Sequence, residues 1–117
     1  MGLTEAKVTI HGPKGQDVIT LLVDTGSLHS WIDENSLANL GVDAKYTMSF
    51  RTIAGSKVER KVGHADIEMI GIKLPCVVVF AQKGDVNVLG ATTLENLGLE
   101  VDPTTKVIKR SEALAAY

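Results

Sequence analysis

A chain of 117 residues has the length of one domain, 1–117, and buries about two thirds of the surface its unfolded form exposes. With 44% hydrophobic and 22% charged residues it has an ordinary globular composition, and a net charge of −2 gives no electrostatic reason to expect nucleic acid. Its one cysteine, Cys76, excludes an internal disulfide, and no apolar run is long enough to span a bilayer. The N-terminus lacks the apolar stretch of a signal peptide, and Ala6 stands where a myristoylation signal needs Ser or Thr. The expectation is a soluble cytoplasmic protein with no membrane partner.

In chain order, residues 7–10 and 17–23 are β-rich runs joined by "HGPKGQ", a Gly- and Pro-rich hairpin loop. A short strand over 28–32 follows Asp24-Thr25-Gly26. Asp33 then caps a short helix in which Leu37 and Leu40 share a face and Gly41 is the stop. Residues 45–51 and 56–62 read as two strands around "TIAG", with Gly55 supplying the positive φ of the tip. Residues 65–70 and 74–80 read as another pair around Gly71. "CVVVF" in the second is apolar throughout and predicts burial on both faces.

Residues 85–89 predict a strand ending at Gly90. Thr92 opens a Thr-x-x-Glu capping box with Glu95, Leu94 and Leu97 face one way, and Gly98 ends the helix. A last hairpin over 99–101 and 106–108 turns at "DPTT", and a tail of unassigned conformation begins at about 111. "SLANLGVD" at 36–43 resembles "TLENLGLE" at 93–100, each after a strand and a glycine turn. Either two similar halves pack about a pseudo-two-fold axis, or two short amphipathic helices match by chance.

Asp24-Thr25-Gly26 closes the apolar run "TLLV". By itself the triplet is good turn chemistry, because Asp bonds its own backbone and Gly tolerates positive φ. Its context is more specific: a hairpin follows, and then Val88-Leu89-Gly90 before a second short helix. With these features the chain, from about Val8 to Ile108, resembles the retropepsins, the aspartic proteases of retroviruses and their cellular relatives. The resemblance implies an all-β fold, a closed retropepsin-like β-barrel with one or two short helices, active as a homodimer.

The resemblance also assigns roles. Asp24 is the catalytic aspartate, Thr25 bonds across the dimer axis, and Gly26 lets substrate backbone approach. Thr52, Ile53, Ala54 and Gly55 form the tip of a flap over an extended peptide. Phe50, an apolar residue of the same hairpin, is expected from its own chemistry to touch substrate. Val88, Leu89 and Gly90 pack beneath the Asp24 loop. Ser27 is expected to donate a hydrogen bond near Asp24; His29 either lines the substrate cleft or is a loop histidine. No cofactor and no metal are called for.

Elementary electrostatics asks for the same symmetry. The chain offers one buried acid at such a motif, and Val88-Leu89-Gly90 stands where a two-lobed aspartic protease carries its second Asp-Thr-Gly. A two-fold axis beside Asp24 supplies the second acid from a second copy. Two carboxylates about 3 Å apart repel by roughly 5 kcal/mol at an effective dielectric of 20, enough for the pair to share one proton. The ionised partner can then take a proton from water while the protonated one donates to the scissile carbonyl.

Some positions depart from the retroviral pattern. The acid that follows the active-site loop there, and the arginine it pairs with, are here Leu28 and Ala91, so no unpaired charge remains. "TIAG" holds fewer glycines than viral flaps and is closer to cellular relatives. His11, His29 and His64 show no metal-ligand spacing with Cys76, which reads as a small buried apolar residue. Trp31 reads as core near the loop. "SKVERK" at 56–61 is a solvated strand face or a preference for acidic substrates. The function expected is an aspartic endopeptidase; the alternative is a catalytically weak or inactive module of the same fold that binds peptides or dimerises.

Overall fold

A computed structural model describes residues 4–52 and 54–111. The chain opens with an antiparallel hairpin, β1 (Glu5–Gly12) and β2 (Gly15–Val23), in which Gly12 faces Gly15. Both strands run longer than the sequence pattern predicts, and the loop shrinks to Pro13 and Lys14. The Lys14 amide is anchored on the Leu40 carbonyl at 2.9 Å, which fixes this tight end. Next come β3 (Ser30–Asp33) and α1 (Glu34–Asn39). The Asp33 side chain accepts from the Ser36 amide at 3.0 Å, the cap the sequence predicts, and Leu37 and Leu40 are buried.

The hairpin of β4 (Ala44–Arg51) and β5 (Lys57–Met69) comes next. Two strands were expected over 56–62 and 65–70; they are one strand of 13 residues. Gly63, in the gap between those two expected strands, lies within it. A Cβ on Gly63 would collide with the Asp43 carbonyl, so this glycine permits a backbone crossing. β6 (Ile72–Ala81) follows a turn at Gly71 and lies between β3 and β5. There Cys76, Val78, Val79 and Phe80 are buried as predicted, and Val77 is half-buried.

The strand expected over 85–89 is only β7 (Val88–Leu89), because Asp85 is drawn into a turn and an ion pair. β7 pairs parallel with β2 and antiparallel with β3. α2 (Ala91–Asn96) leads to the two-stranded sheet of β8 (Leu99–Val101) and β9 (Ile108–Arg110). β9 starts later than expected, since Lys106 adopts φ 64° and the turn extends through it. Asp102 organises that turn by accepting from the amides of Thr104 and Thr105 at 2.8 and 3.0 Å. With Lys109 also nearby, these bonds hold its carboxyl at about 2. Residues 112–117 of the tail lie outside the described residues.

The main sheet runs β1-β2-β7-β3-β6-β5-β4, and an extra β1–β5 pairing closes it into a ring. β4 stands outside the closure, paired with β5 alone, so the β4–β5 hairpin projects from the barrel. The ring encloses Val8, Ile10, Leu21, Ile32, Ile67 and Leu89, each about 1% exposed or less, and Leu37 of α1 joins them. Among the described residues no helix is long and apolar enough to cross a membrane.

Candidate active site

β2 delivers Asp24 to the barrel rim. Leu22 and Val23 pair with Val88 and Leu89, and the Asp24 amide donates to the Leu89 carbonyl at 3.0 Å. The chain then turns: the Ser27 amide donates to the Asp24 carbonyl at 3.1 Å, and the Gly26 amide to Asp24 Oδ1 at 3.0 Å. The carboxylate thus folds over its own turn, as the local chemistry of Asp-x-Gly predicts. A Cβ on Gly26 would lie 3.1 Å from that same oxygen, so any side chain there crowds the acid.

The expectation that the apolar run buries the acid does not hold within one chain. Asp24, Thr25 and Gly26 are all exposed, because the turn carries them past the end of the ring. Beside them opens a depression of about 720 Å³, whose wall includes Asp24, Thr25, Val23, Ala91, Leu94 and Leu99.

Val88, Leu89 and Gly90 lie directly behind the turn. Val88 and Leu89 are buried, and a Cβ on Gly90 would collide with the carbonyls of His29 and Ser27. Only glycine admits this approach. The Gly90 amide donates to Ser30 Oγ at 2.9 Å, and Ser30 Oγ in turn bonds Thr93 Oγ1. Both hydroxyls are fully buried, so each must find its partner inside the protein. The members of this pair are 63 positions apart, which hides it from any local pattern.

The predicted capping box at Thr92 does not form. The N-cap of α2 is Gly90, with no side-chain bond. The first helical amides go to the Asp24 loop instead: Ala91 N donates to Ser27 O at 2.8 Å and Thr92 N to Leu28 O at 3.0 Å. Thr92 Oγ1 donates to the same Leu28 carbonyl at 2.6 Å. Ser27 Oγ donates to the His29 carbonyl at 2.8 Å, so its hydroxyl braces the next residues rather than Asp24.

The projecting hairpin reaches the wall of this loop through Phe50. Its ring meets Trp31 edge-on at 5.0 Å and His29 at 6.4 Å. Trp31 is half-buried against Phe50, outside the core where it was expected, because β3 turns Ser30 and Ile32 inward and Trp31 the other way. His29 Nδ1 is buried with no partner among the described residues. At the hairpin end, Thr52 N donates to Ser56 O at 2.8 Å and Gly55 N to Thr52 O at 2.9 Å. Gly55 has the expected positive φ, 87°. Thr52, Ala54 and Gly55 are exposed, and among the described residues no hydrogen bond joins them to Asp24. Ile53 lies outside the described residues.

The charges of "SKVERK" divide by face. Lys57, Glu59 and Lys61 are exposed, while Val58 and Arg60 are half-buried with Phe50 and Met48 opposite them. Arg60 forms a two-pronged bond to Asp85, Nε to Oδ2 at 2.7 Å and Nη2 to Oδ1 at 3.0 Å. The guanidinium holds the Asp85 carboxyl below its usual range, and Asp85 raises Arg60 in return. This tie between the hairpin and the turn before β7 joins residues 25 positions apart, which no local pattern reveals. His11 bonds Glu68 across the β1–β5 closure at 2.7 Å. Cys76 is buried as predicted, and burial pushes its thiol up.

The comparisons with known proteins bear on this arrangement. Residues 6–93 match the model of a family described as aspartyl protease. No curated protein matches the chain. Among solved structures, the EIAV protease complexed with the inhibitor HBY-793 is similar at TM-score 0.62 and 24% identity, over 83% of this chain and 89% of that one. The simian foamy virus protease is similar at TM-score 0.56 and 17% identity, over 79% and 92%. A retropepsin-like aspartic protease from Rickettsia conorii gives 0.50 and 17%, over 87% and 89%.

Proposed function

The chain belongs to the aspartyl protease family, with a retropepsin-like fold, and on that premise we propose that it is an endopeptidase active as a homodimer. The observation that carries the reading is an acid on an Asp-Thr-Gly turn at the barrel rim, with no acid at the matching Leu89-Gly90. Asp24 is exposed beside an open depression, gripped from behind by Leu89, and the equivalent place on β7 holds no acid. A second copy seated on this depression would cover Asp24 and Thr25 and contribute its own Asp24 across the axis. The burial missing within one chain would then come from the partner. All the described elements, on this reading, form one domain.

The chemistry follows from the pair of carboxylates. Their mutual repulsion leaves one proton between them. The ionised carboxylate takes a proton from water as its oxygen attacks the scissile carbonyl carbon. The protonated one donates its proton to the carbonyl oxygen, giving a neutral diol. The carboxyl that took the water proton then gives it to the amide nitrogen as the C–N bond breaks, and the other carboxylate takes one diol proton, which restores the singly protonated pair. Thr25 is assigned to bonds across the axis and Gly26 to close approach of substrate backbone. Thr52, Ala54 and Gly55 cover the peptide, and Phe50 with His29 lines its path. An extended peptide would gain main-chain bonds from the hairpin.

The test is digestion of unfolded casein from acid to neutral pH, with and without pepstatin. Cleavage should depend on protein concentration and vanish in Asp24→Asn. Binding of peptide without cleavage would move the assignment to a peptide-binding or dimerising module. Full activity in Asp24→Asn, or activity in a strict monomer, would end the proposal.

A further inference from the structure

The Asp24 loop receives, besides backbone bonds from β7 and α2, one side-chain hydroxyl from the second half of the chain. Leu28, two positions past Gly26, has a side chain 64% exposed and so gains no hold from packing. Its carbonyl receives two bonds, both from Thr92, through the amide at 3.0 Å and Oγ1 at 2.6 Å. Thr92 is the second residue of α2, so no helical turn precedes it to take its hydroxyl. The hydroxyl instead reaches across 64 positions to a loop. Thr92 stands on a firm base, since its neighbours Thr93 and Leu94 are 1% and 3% exposed. The path onward is short: Ser27 N to Asp24 O, then Gly26 N to Asp24 Oδ1.

We propose that Thr92 is a positioning residue for the acid, its hydroxyl holding the Leu28 carbonyl so that the turn 24–27 presents the Asp24 carboxylate in one orientation. This rests on the protease reading and deepens it, because two carboxylates sharing a proton across an axis tolerate little displacement. The clamp is uncharged. Neither Leu28 nor Ala91 ionises, and the bonds from Ala91 and Thr92 all end on carbonyls. Its hold is therefore insensitive to ionic strength, unlike an ion pair in that place.

The experiment compares Thr92→Val, which keeps the shape and loses the hydroxyl, Thr92→Ala, and Thr92→Ser, which restores it. Turnover is normalised to sites titrated with pepstatin, so that loss of folded protein does not count. Thr92→Val and Thr92→Ala should lower kcat by about ten- to a hundredfold with KM within about twofold. The acid limb of the pH–rate profile should move, and the loss should be equal at low and high salt. Thr92→Ser should recover most of the rate and the profile. Wild-type kcat and profile in Thr92→Val would overturn the proposal, as would a loss confined to the number of titratable sites. If the wild-type chain cleaves nothing, the protease reading fails separately, and amide exchange at Ser27 decides for the clamp. Faster exchange in Thr92→Val supports it, and unchanged exchange overturns it.

Discussion

Segments 22–41 and 88–98 close in the same way and open in opposite ways. Leu40 and Leu97 end their helices at φ −83°, ψ −3° and φ −82°, ψ −2°, and each precedes a glycine of positive φ. Gly41 N donates to Ala38 O at 3.0 Å, and Gly98 N to Glu95 O at the same distance. The two helix ends that match in the sequence thus match in geometry. At the strand ends, the first segment exposes Asp24 while the second buries Leu89 against it. α1 is capped by its own Asp33, whereas α2 leaves its opening amides to the loop of the first segment. One segment presents a group to solvent, and the other supplies the stiffness that presentation requires.

Substitutions can break this division of labour, and the largest effect falls on the presenting side. Asp24→Asn should lower peptide cleavage by about 10²–10⁴-fold while the urea midpoint stays near wild type, since Asn keeps the shape and an oxygen to accept from the Gly26 amide. On the supporting side the balance reverses. Leu89→Ala removes a side chain 0% exposed from the ring and should cost about 2–5 kcal/mol in urea unfolding. Ser30→Ala strands the Gly90 amide and the Thr93 hydroxyl, both buried, for about 1–3 kcal/mol by the same measurement.

The caps sharpen the contrast. Asp33→Ala should cost about 0.5–2 kcal/mol of thermal stability, because α1 relies on that side chain for its Ser36 amide. The smallest effect is a matter of acid. Asp85 has its carboxyl lowered by Arg60, so its contribution is complete above the unfolded carboxylate value and drains as pH falls through the lower folded one. Arg60→Met should flatten the fall in urea midpoint between pH 5 and pH 3. It will not abolish that fall, because Asp102 titrates low for its own reasons.

Much of this architecture could be read from residues alone. Local chemistry announced the Asp33 cap, the Gly41 and Gly98 stops, the turn at Asp24 and the buried "CVVVF" strand. What stayed hidden was long-range. Thr92 carries a sound local signature for a cap, but a carbonyl 64 positions away offers its hydroxyl a better partner. The continuity of β5 through Gly63 was hidden as well, because crowding from the Asp43 carbonyl cannot be seen along the chain. Asp85 leaves its strand for Arg60 for the same reason. The exposure of Asp24 is hidden too: the apolar run before it implies burial, but that run stops one residue short of the rim.

The uninterrupted β5 has a mechanical consequence. Its last residues are gripped between β1 and β6, while its first residues are flanked by β4 alone. A beam fixed at its root and loaded near its tip is displaced most at the tip but carries its greatest stress at the root. Here the root is Val62 and Gly63, where β4 and β6 meet on either side of the strand. A guest lodged beneath the arm would be sensed in the barrel wall, along one continuous piece of backbone.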